Sequence, residues 1–199
     1  MTSFWDDRYR SDAYVYGVEP NDFVRASAPR IRPGRVLCLA EGEGRNAVFL
    51  ASLGHAVTAV DQSIEGLRKA ERLARERGVT VELVQADLTH YDLEAGAFAG
   101  IIAIFAHVPR PVRQRLHGQI PGALAAGGAF VFEAYRPAQL SFATGGPPDV
   151  ALLPSLAELR EELAGLDLVV AQEVEREIHE GAIHNGMSAT VQVVGIKPA

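Results

Sequence analysis

Apolar residues along this chain recur in short runs that alternate with segments of helical periodicity. Five runs of strand length lie at residues 35–40, 56–60, 79–84, 100–105 and 129–134. The segments between them place apolar side chains three or four positions apart, as amphipathic helices do. This alternation predicts an α/β fold, a Rossmann-like doubly wound sheet with five parallel strands. No repeat or linker divides the chain, so we predict a single domain over residues 1–199.

A few residues indicate where the predicted helices begin and end. Ser63 is a suitable N-cap for the helix after the second strand. A later helix carries apolar positions from residue 112 to residue 124, and Pro121 is expected to kink or shorten it. Ser155 and Glu158 have the S-x-x-E spacing of a capping box, which predicts one more helix after them.

The last part of the chain contains two strand-like runs without a helix between them. Apolar and charged residues alternate in part along the first run, with Val174, Arg176 and Ile178 on one side and glutamates on the other. A short stretch with Gly181 and Asn185-Gly186 separates the runs. We therefore predict a C-terminal antiparallel hairpin that completes the sheet.

Composition excludes several classes of protein. The chain is 48% hydrophobic and has a formal net charge of −6, which disfavours a nucleic-acid partner. No run approaches the ~18 apolar residues of a membrane helix, and the polar N-terminus resembles neither a signal nor a transit peptide. One cysteine, Cys38, excludes an internal disulfide and favours a cytoplasmic location. His179 and His184 lack further ligands near them in sequence, so no metal site is expected.

The stretch "VLCLAEGEGRNAVFLA" at residues 36–51 carries the clearest candidate chemistry. Gly42 and Gly44 fit the pattern G-x-G-x-x-G/A of dinucleotide-binding turns, where glycine lets the backbone approach a ligand. Glu41 and Glu43 lie in the same turn, however, and like charges ~4 Å apart oppose each other by roughly 1 kcal/mol in water and ~4 kcal/mol at a shielded site. S-adenosylmethionine has no phosphate and carries a sulfonium and an ammonium, so the turn favours this cationic nucleoside over a dinucleotide.

Two further carboxylates end neighbouring strands at the same predicted edge of the sheet. Asp61 closes the second strand and is placed to accept both hydroxyls of a ribose, although it has the alternative of capping the next helix. Asp87 closes the third strand and is a candidate to accept from the amine of adenine, with an ordinary turn role as the alternative. Asn46 is equally suited to capping its helix and to contacting the ligand.

These motifs together resemble the Rossmann-like, class I S-adenosylmethionine-dependent methyltransferases. More narrowly, "FWDDRYRSDAYVYGVEPNDFV" and "GEGRNAVFLASLGHAVTAVDQS" resemble the tellurite-resistance-type branch, which is related to thiopurine methyltransferases. The chain departs from that pattern at Cys38, where many members have an acidic residue, and at Ala40, where they have glycine. With this resemblance, the residues expected to bind the cofactor are Tyr16, Glu41, Gly42, Gly44, Asn46, Asp61, Gln62, Asp87, Leu88 and Ala106.

The same resemblance points to parts of the chain that would receive a methyl acceptor. A leading segment at residues 1–34 would cover the cofactor, and the irregular, Gly- and Pro-rich residues 136–154 would form a substrate lid, with an inert surface loop as the alternative. His107 follows the fourth strand and is the candidate base, or a histidine that merely packs locally. Tyr14, Tyr135 and Arg136 are the candidate substrate contacts.

The sequence as a whole predicts a methyltransferase that acts on a small molecule by in-line displacement. S-adenosylhomocysteine would be the product formed from the cofactor. Two other functions are kept open: a non-catalytic protein that binds S-adenosylmethionine or S-adenosylhomocysteine, and a nicotinamide-dependent oxidoreductase. The identity of the acceptor and the oligomeric state do not follow from the sequence.

Overall fold

A seven-stranded sheet forms the centre of the computed structural model, which describes residues 4–199. Its strands are β1 (Arg35–Leu39), β2 (Ala56–Asp61), β3 (Val81–Gln85), β4 (Phe98–Ile104), β5 (Leu124–Tyr135), β6 (Asp167–Glu180) and β7 (His184–Ile196). They lie in the order β3-β2-β1-β4-β5-β7-β6. The first five strands pair in parallel, and β7 is antiparallel to both β5 and β6. The predicted α/β class, the parallel strands and the terminal hairpin are confirmed.

Six α-helices of the described residues 4–199 surround the sheet. They are α1 (Phe4–Tyr9), α2 (Asp22–Ser27), α3 (Arg45–Ser52), α4 (Ile64–Glu76), α5 (Arg110–Ala123) and α6 (Leu156–Glu162). The connection between β5 and α6 contains two short 3₁₀ helices, Pro137–Ser141 and Val150–Leu152. Among the described residues, no helix has the length and apolar character that a membrane span requires.

Both faces of the sheet are buried, as expected for parallel strands covered by helices. Along β1, Leu37 and Leu39 face a core that includes apolar residues of α5 and α6. Val36 and Cys38, which alternate with them, face a second core formed with α2 and α3. This two-sided packing leaves the carboxyl edge of the parallel strands as the open end of the fold.

Several elements differ from the predictions. Residues 86–97, between β3 and β4, form no helix, although helical periodicity is expected in each connection. Two boundary differences have a local cause. The helix that contains Pro121 ends at Ala123, and Leu124 already belongs to β5, because proline cannot donate to the preceding turn and clashes with it. Asn185 and Gly186 are paired residues of β7 rather than turn residues, since the turn of the hairpin comprises residues 181–183. The caps at Ser63 and Ser155 are confirmed by their hydrogen bonds.

Two buried carboxylates tie the N-terminal segment to the hairpin and to α3. The side-chain amide of Asn21 donates to Glu133 Oε2 at 2.7 Å and to Glu180 Oε1 at 2.9 Å. Arg176 pairs with Glu133 at 3.0 Å, and Arg45 pairs with Glu180 at 2.7 Å. Each buried charge therefore has an opposite charge and a further donor, which is the condition under which burial of ions is tolerated.

Replacing Arg176 with methionine should lower the free energy of unfolding by about 3 kcal/mol, because it leaves the fully buried carboxylate of Glu133 without its cation. The control is Arg68→Met, which removes an exposed pair with Glu65 and should cost less than about 1 kcal/mol. Urea denaturation measures both. Equal losses in the two variants would show that the buried pair is not a special contributor.

Candidate active site

A cavity of about 690 Å³ opens at the carboxyl edge of the parallel strands. Parallel sheets bind their ligands at this edge because the loops that follow the strands converge there. The wall includes these residues of the predicted site: Tyr16, Glu41, Asn46, Asp61, Gln62, Asp87, Leu88, Ala106 and His107. Five others are not on the wall: Gly42, Gly44, Tyr14, Tyr135 and Arg136. The wall residues are therefore brought together in space, and their contact with a ligand stays a prediction.

The two glycines of the turn between β1 and α3 have left-handed backbones, with φ of +64° at Gly42 and +90° at Gly44. A Cβ on Gly44 would lie 2.5 Å from the Cβ of Ala70 on α4. A Cβ on Gly42 would lie 2.6 Å from the hydroxyl of Tyr9 on α1. Packing against protein atoms is by itself enough to require glycine at these positions, and the predicted ligand contact of Gly42 and Gly44 stays a prediction.

Glu41 places its carboxylate on the first turn of α3. Its Oε1 accepts hydrogen bonds from the backbone N–H groups of Asn46 and Ala47, both at 2.8 Å. Burial raises the pKa of Glu41 to about 7, against the opposing influence of these bonds and of Arg45. The side chain of Asn46 does not cap the helix, since its Oδ1 accepts from the N–H of Asn21 at 3.0 Å. The anion-binding end of α3 is thus filled by a side chain of the protein itself.

Glu43, the second carboxylate of the turn, is hydrogen-bonded and paired to other groups of the protein. It accepts from the backbone N–H groups of Val15 at 3.0 Å and Tyr16 at 3.1 Å. Lys69 on α4 donates to it at 2.7 Å, and both side chains are buried. Its charge is therefore neutralised by the protein. The repulsion of a pyrophosphate that the sequence predicts for this turn thus comes from Glu41 and not from Glu43.

Asp61 holds the glycine turn at the end of β2. Its Oδ2 accepts from the N–H of Gly42, and its Oδ1 accepts from the N–H of Ser63, both at 2.8 Å. Burial raises the pKa of Asp61, with the two amide bonds acting in the opposite direction. A carboxylate has about four lone-pair positions, so both oxygens keep acceptor capacity for a ligand at the pocket wall.

Asp87 lies two residues beyond the end of β3 and is exposed. Its Oδ1 accepts from the N–H of Thr89 at 2.8 Å, and this bond lowers the pKa of Asp87. Leu88 beside it is buried and forms part of the apolar wall, whereas Gln62 is exposed at the rim. The segment after β3 therefore places a carboxylate and an apolar side chain next to each other at the pocket.

Helix α1 and the segment after it cover one side of the pocket with aromatic rings. Trp5 stacks on Tyr9 at 5.8 Å, Tyr9 contacts Tyr16 edge-on at 6.2 Å, and Tyr16 contacts His184 at 4.7 Å between ring centroids. The guanidinium of Arg8 lies 5.8 Å from the centre of the Trp5 ring. The residues of the predicted 1–34 cover that precede residue 4 are outside the part of the chain that the structure describes.

Tyr14 does not belong to this cover. Its hydroxyl donates to the backbone carbonyl of Lys69 at 3.2 Å, and the guanidinium of Arg72 lies 4.9 Å from the centre of its ring. Both partners are on α4, so Tyr14 fastens the N-terminal segment to that helix. It does not line the pocket, and its predicted role as a substrate contact stays a prediction.

His107 is brought to the pocket by a sharp bend after β4. Phe105 has a left-handed backbone with φ of +51°, which is uncommon for a bulky side chain and turns the chain at this point. His107 Nδ1 lies 3.2 Å from the carbonyl oxygen of Leu152 in the predicted lid. Burial lowers the pKa of His107 to about 4, so the imidazole is neutral near pH 7.

Tyr135 and Arg136, the other two predicted substrate contacts, are placed elsewhere. Tyr135 is fully buried behind the wall, with its ring stacked 5.6 Å from that of His107. Arg136 forms ion pairs with Glu173 at 3.6 Å and Glu175 at 3.2 Å on β6. The guanidinium is paired with carboxylates of β6, and its predicted contact with an anionic acceptor stays a prediction.

Sequence reasoning missed several residues of the wall. Trp5 and Arg8 belong to "FWDDRY", which was part of the family resemblance but was not assigned to the site. His184 was considered only as a metal ligand, yet it is buried on the pocket wall. Within residues 4–199, no group of three or more potential ligands is placed to hold a metal ion.

Part of the sequence matches one family model, and many solved structures have a fold similar to that of this chain. Residues 36–128 match the family model described as a methyltransferase domain. None of the curated proteins matches the sequence. One similar solved structure comes from work on the conversion of a disulfide bond into a thioacetal group during echinomycin biosynthesis. Its TM-score is 0.74 at 19% sequence identity, and the match covers 98% of this chain and 91% of that chain.

Two other solved structures are similar over most of the chain. TehB from Haemophilus influenzae has a TM-score of 0.74 and 17% identity, covering 98% of this chain and 66% of its own. A SAM-dependent methyltransferase from Methanosarcina mazei has a TM-score of 0.71 and 16% identity, covering 90% and 99%. Residues 36–128 of this chain therefore match a methyltransferase-domain family, and nearly the whole chain has the fold of the class I S-adenosylmethionine-dependent methyltransferases.

Proposed function

We propose that this protein transfers a methyl group from S-adenosylmethionine to a small-molecule acceptor. The observation that carries the proposal is the contact of Glu41 with the first-turn amides of α3. In dinucleotide-binding α/β proteins the N-terminus of this helix receives the pyrophosphate. Here a carboxylate of the protein uses those amides. A cofactor with a sulfonium and an ammonium and no phosphate fits this arrangement, whereas a nicotinamide dinucleotide does not.

The adenosine part of the cofactor is assigned to the ends of β2 and β3. Asp61 accepts from the ribose hydroxyls with the acceptor capacity that its two amide bonds leave. Asp87 accepts from the amine of adenine, and Leu88 packs against the base. Gln62 lies at the rim next to Asp61. The support for this assignment is the position of all four side chains on one stretch of the pocket wall.

The amino-acid part of the cofactor is assigned to the region between the glycine turn and α1. Glu41 supplies the negative charge for the ammonium and the sulfonium. Arg8, on the pocket wall over the Trp5 ring, supplies a positive charge for the carboxylate. Tyr16 and Ala106 flank this region.

When bound, S-adenosylmethionine supplies a methyl group that is activated by the positive sulfur. The chain itself supplies orientation and exclusion of water, from which a displacement reaction gains much of its rate. Trp5 and Tyr16 cover the pocket from the α1 side. Residues 145–148 and Leu152, from the segment 136–154, cover it from the other side. This supports the interpretation of that segment as a lid.

The small size of the acceptor and the cellular location are parts of the same proposal. The enclosed shape of the pocket and the net charge of −6 favour a small molecule over a nucleic acid. The single cysteine, Cys38, is buried as a free thiol, which supports a cytoplasmic location. The tellurite-resistance-type branch that the sequence resembles leaves open which electron-rich atom accepts the methyl group.

Calorimetry with S-adenosylhomocysteine, S-adenosylmethionine and NAD tests the proposal. Both adenosyl compounds should bind with dissociation constants in the micromolar range or tighter, and NAD should show no binding under the same conditions. Tight binding of NAD without binding of S-adenosylmethionine would overturn the proposal. Binding of the cofactor without methylation of any compound in a broad acceptor screen would instead favour a non-catalytic binding protein.

The affinity for S-adenosylmethionine should rise with pH through neutrality. A pKa of about 7 leaves Glu41 partly protonated near pH 7. A cationic ligand favours the ionised carboxylate, so binding releases a proton and weakens as the pH falls below about 7, by at most about tenfold per pH unit. Calorimetry between about pH 6 and pH 8 measures this dependence.

The matched control for this pH dependence is Glu41→Gln. The amide oxygen of glutamine still accepts from the amides of α3, but the side chain does not titrate. The variant should bind more weakly at high pH and with little dependence on pH. An equally steep dependence in the variant would assign the titration to another group.

A further inference from the structure

The pocket has a second end, away from the residues assigned to adenosine. In the sheet, β4, β5 and β7 lie on the opposite side of β1 from β2 and β3. Asp61 and Asp87 follow β2 and β3, whereas His107 follows β4 and His184 begins β7. If S-adenosylmethionine binds as proposed above, this second end is left for the acceptor. The following inference rests on that proposed function.

The tautomer of His107 is determined by its contact with the lid. Leu152 offers a carbonyl oxygen, which only accepts, so the Nδ1 atom 3.2 Å from it carries the proton. In the neutral ring the Nε2 atom then has a free lone pair. Nε2 is buried and has no hydrogen-bond partner among the described residues. Buried polar atoms without a partner are costly and uncommon, so this one is a candidate for a ligand contact.

His184 presents a second nitrogen of the same kind. Its Nδ1 is buried and lacks a partner in the described part of the chain. Burial, with Arg45 and His107 nearby, lowers the pKa of His184 to about 3, so this ring is neutral as well. Both histidines are on the pocket wall, and both pack against Tyr135, with ring centroids 5.6 Å and 5.3 Å away.

The surroundings of the two histidines are aromatic and apolar. Phe105 lies 4.8 Å from the His184 ring and 6.2 Å from the His107 ring. The nearby wall is completed by Ala106, Val108, Pro109, Val112, Leu152 and residues 145–148. The cations of the described wall are Arg45, which is paired with Glu180, and Arg8, which lies on α1. The protein therefore offers an anionic acceptor no unpaired cation at this end, and the cofactor sulfonium would be the only positive charge beside it, which favours an uncharged acceptor.

We propose that the acceptor is an uncharged aromatic molecule bearing a hydroxyl group, that His107 Nε2 receives the hydroxyl proton, and that His184 Nδ1 hydrogen-bonds a second polar group of the same molecule. The aromatic wall receives the ring of the acceptor. The carbonyl of Leu152 holds His107 in the tautomer that can accept. In this arrangement His107 is a catalytic residue, and His184 determines specificity.

In this arrangement, methyl transfer moves an electron pair to sulfur and a proton to His107. The acceptor oxygen forms a bond to the methyl carbon while the carbon–sulfur bond breaks, and the electron pair of that bond stays on sulfur as a neutral thioether. The hydroxyl proton passes to Nε2, and the positive charge moves with it to the imidazole ring. A neutral imidazole of low basicity suffices, because a hydroxyl oxygen becomes strongly acidic as it is methylated. The proton then leaves to solvent when the pocket opens.

The experiment uses the full chain with catechol, phenol and thiophenol as aromatic acceptors and tellurite and selenite as anionic ones. Catechol should bind to the complex with S-adenosylhomocysteine in calorimetry and should be methylated in preference to tellurite and selenite. Thiophenol can bind as the neutral thiol but is much more acidic than phenol, so it depends far less on a base and serves as the internal control.

Two variants separate the roles of the histidines. His107→Asn places an amide N–H where Nδ1–H stood, which keeps the contact with Leu152, but it lacks Nε2. Its kcat should fall at least about a hundredfold with catechol and less than about tenfold with thiophenol. His184→Phe keeps the aromatic packing and should raise the KM for catechol about five- to tenfold, with a smaller change in kcat.

Several results would overturn this inference while leaving the proposed methyltransferase function intact. They are a preference for tellurite or selenite over catechol, an absence of both binding and turnover for all three aromatic compounds, and equal losses with catechol and thiophenol in His107→Asn. A protein that binds neither S-adenosylmethionine nor S-adenosylhomocysteine would contradict the proposed function itself.

Discussion

The bond between the carboxylate of Glu41 and the first amides of α3 is the interaction on which the site depends. It satisfies donors that a helix leaves free at its N-terminus, and it does so with a charge that belongs to the protein. The turn before it is held in place by Asp61, which accepts from the N–H of Gly42. A pattern that is typical of phosphate binding is thereby converted into an acidic surface. The same residues that shape the turn thus also give this part of the pocket its negative charge, which is the basis of the proposed cationic cofactor.

The cover of the pocket depends on buried charges as well. Glu43 joins the backbone at residues 15 and 16 to Lys69 on α4, and Asn21 joins the carboxylates Glu133 and Glu180. Such groups are costly to bury singly but stable when each has its partners. The N-terminal segment is therefore attached to both the helix and the hairpin ends of the site, although it precedes the sheet in sequence.

The two ends of the pocket differ in their electrostatics. Near β1, β2 and β3 the wall carries Glu41, Asp61 and Asp87, which suits a cationic nucleoside. Near β4 and β7 the wall is aromatic, with two neutral histidines. The proposed reaction between a cation and an uncharged molecule fits this division, because in that proposal the charge that moves during the reaction ends on an imidazole.

Whereas α1, α2 and the lack of a helix between β3 and β4 could not be predicted from the sequence, the order of the strands, the helices that follow β1, β2 and β4, the glycine turn and the carboxylates at the strand ends could be. These features depend on local periodicity and on the rule that parallel strands end at one edge, so a one-dimensional pattern determines them. The partners of individual side chains could not be predicted in this way. Tyr14 contacts Lys69, Arg136 contacts Glu175, and His107 contacts Leu152, each across 39 or more residues. Only the tertiary structure decides which of the candidate residues face the pocket, because burial and pairing depend on chain segments that meet only after folding.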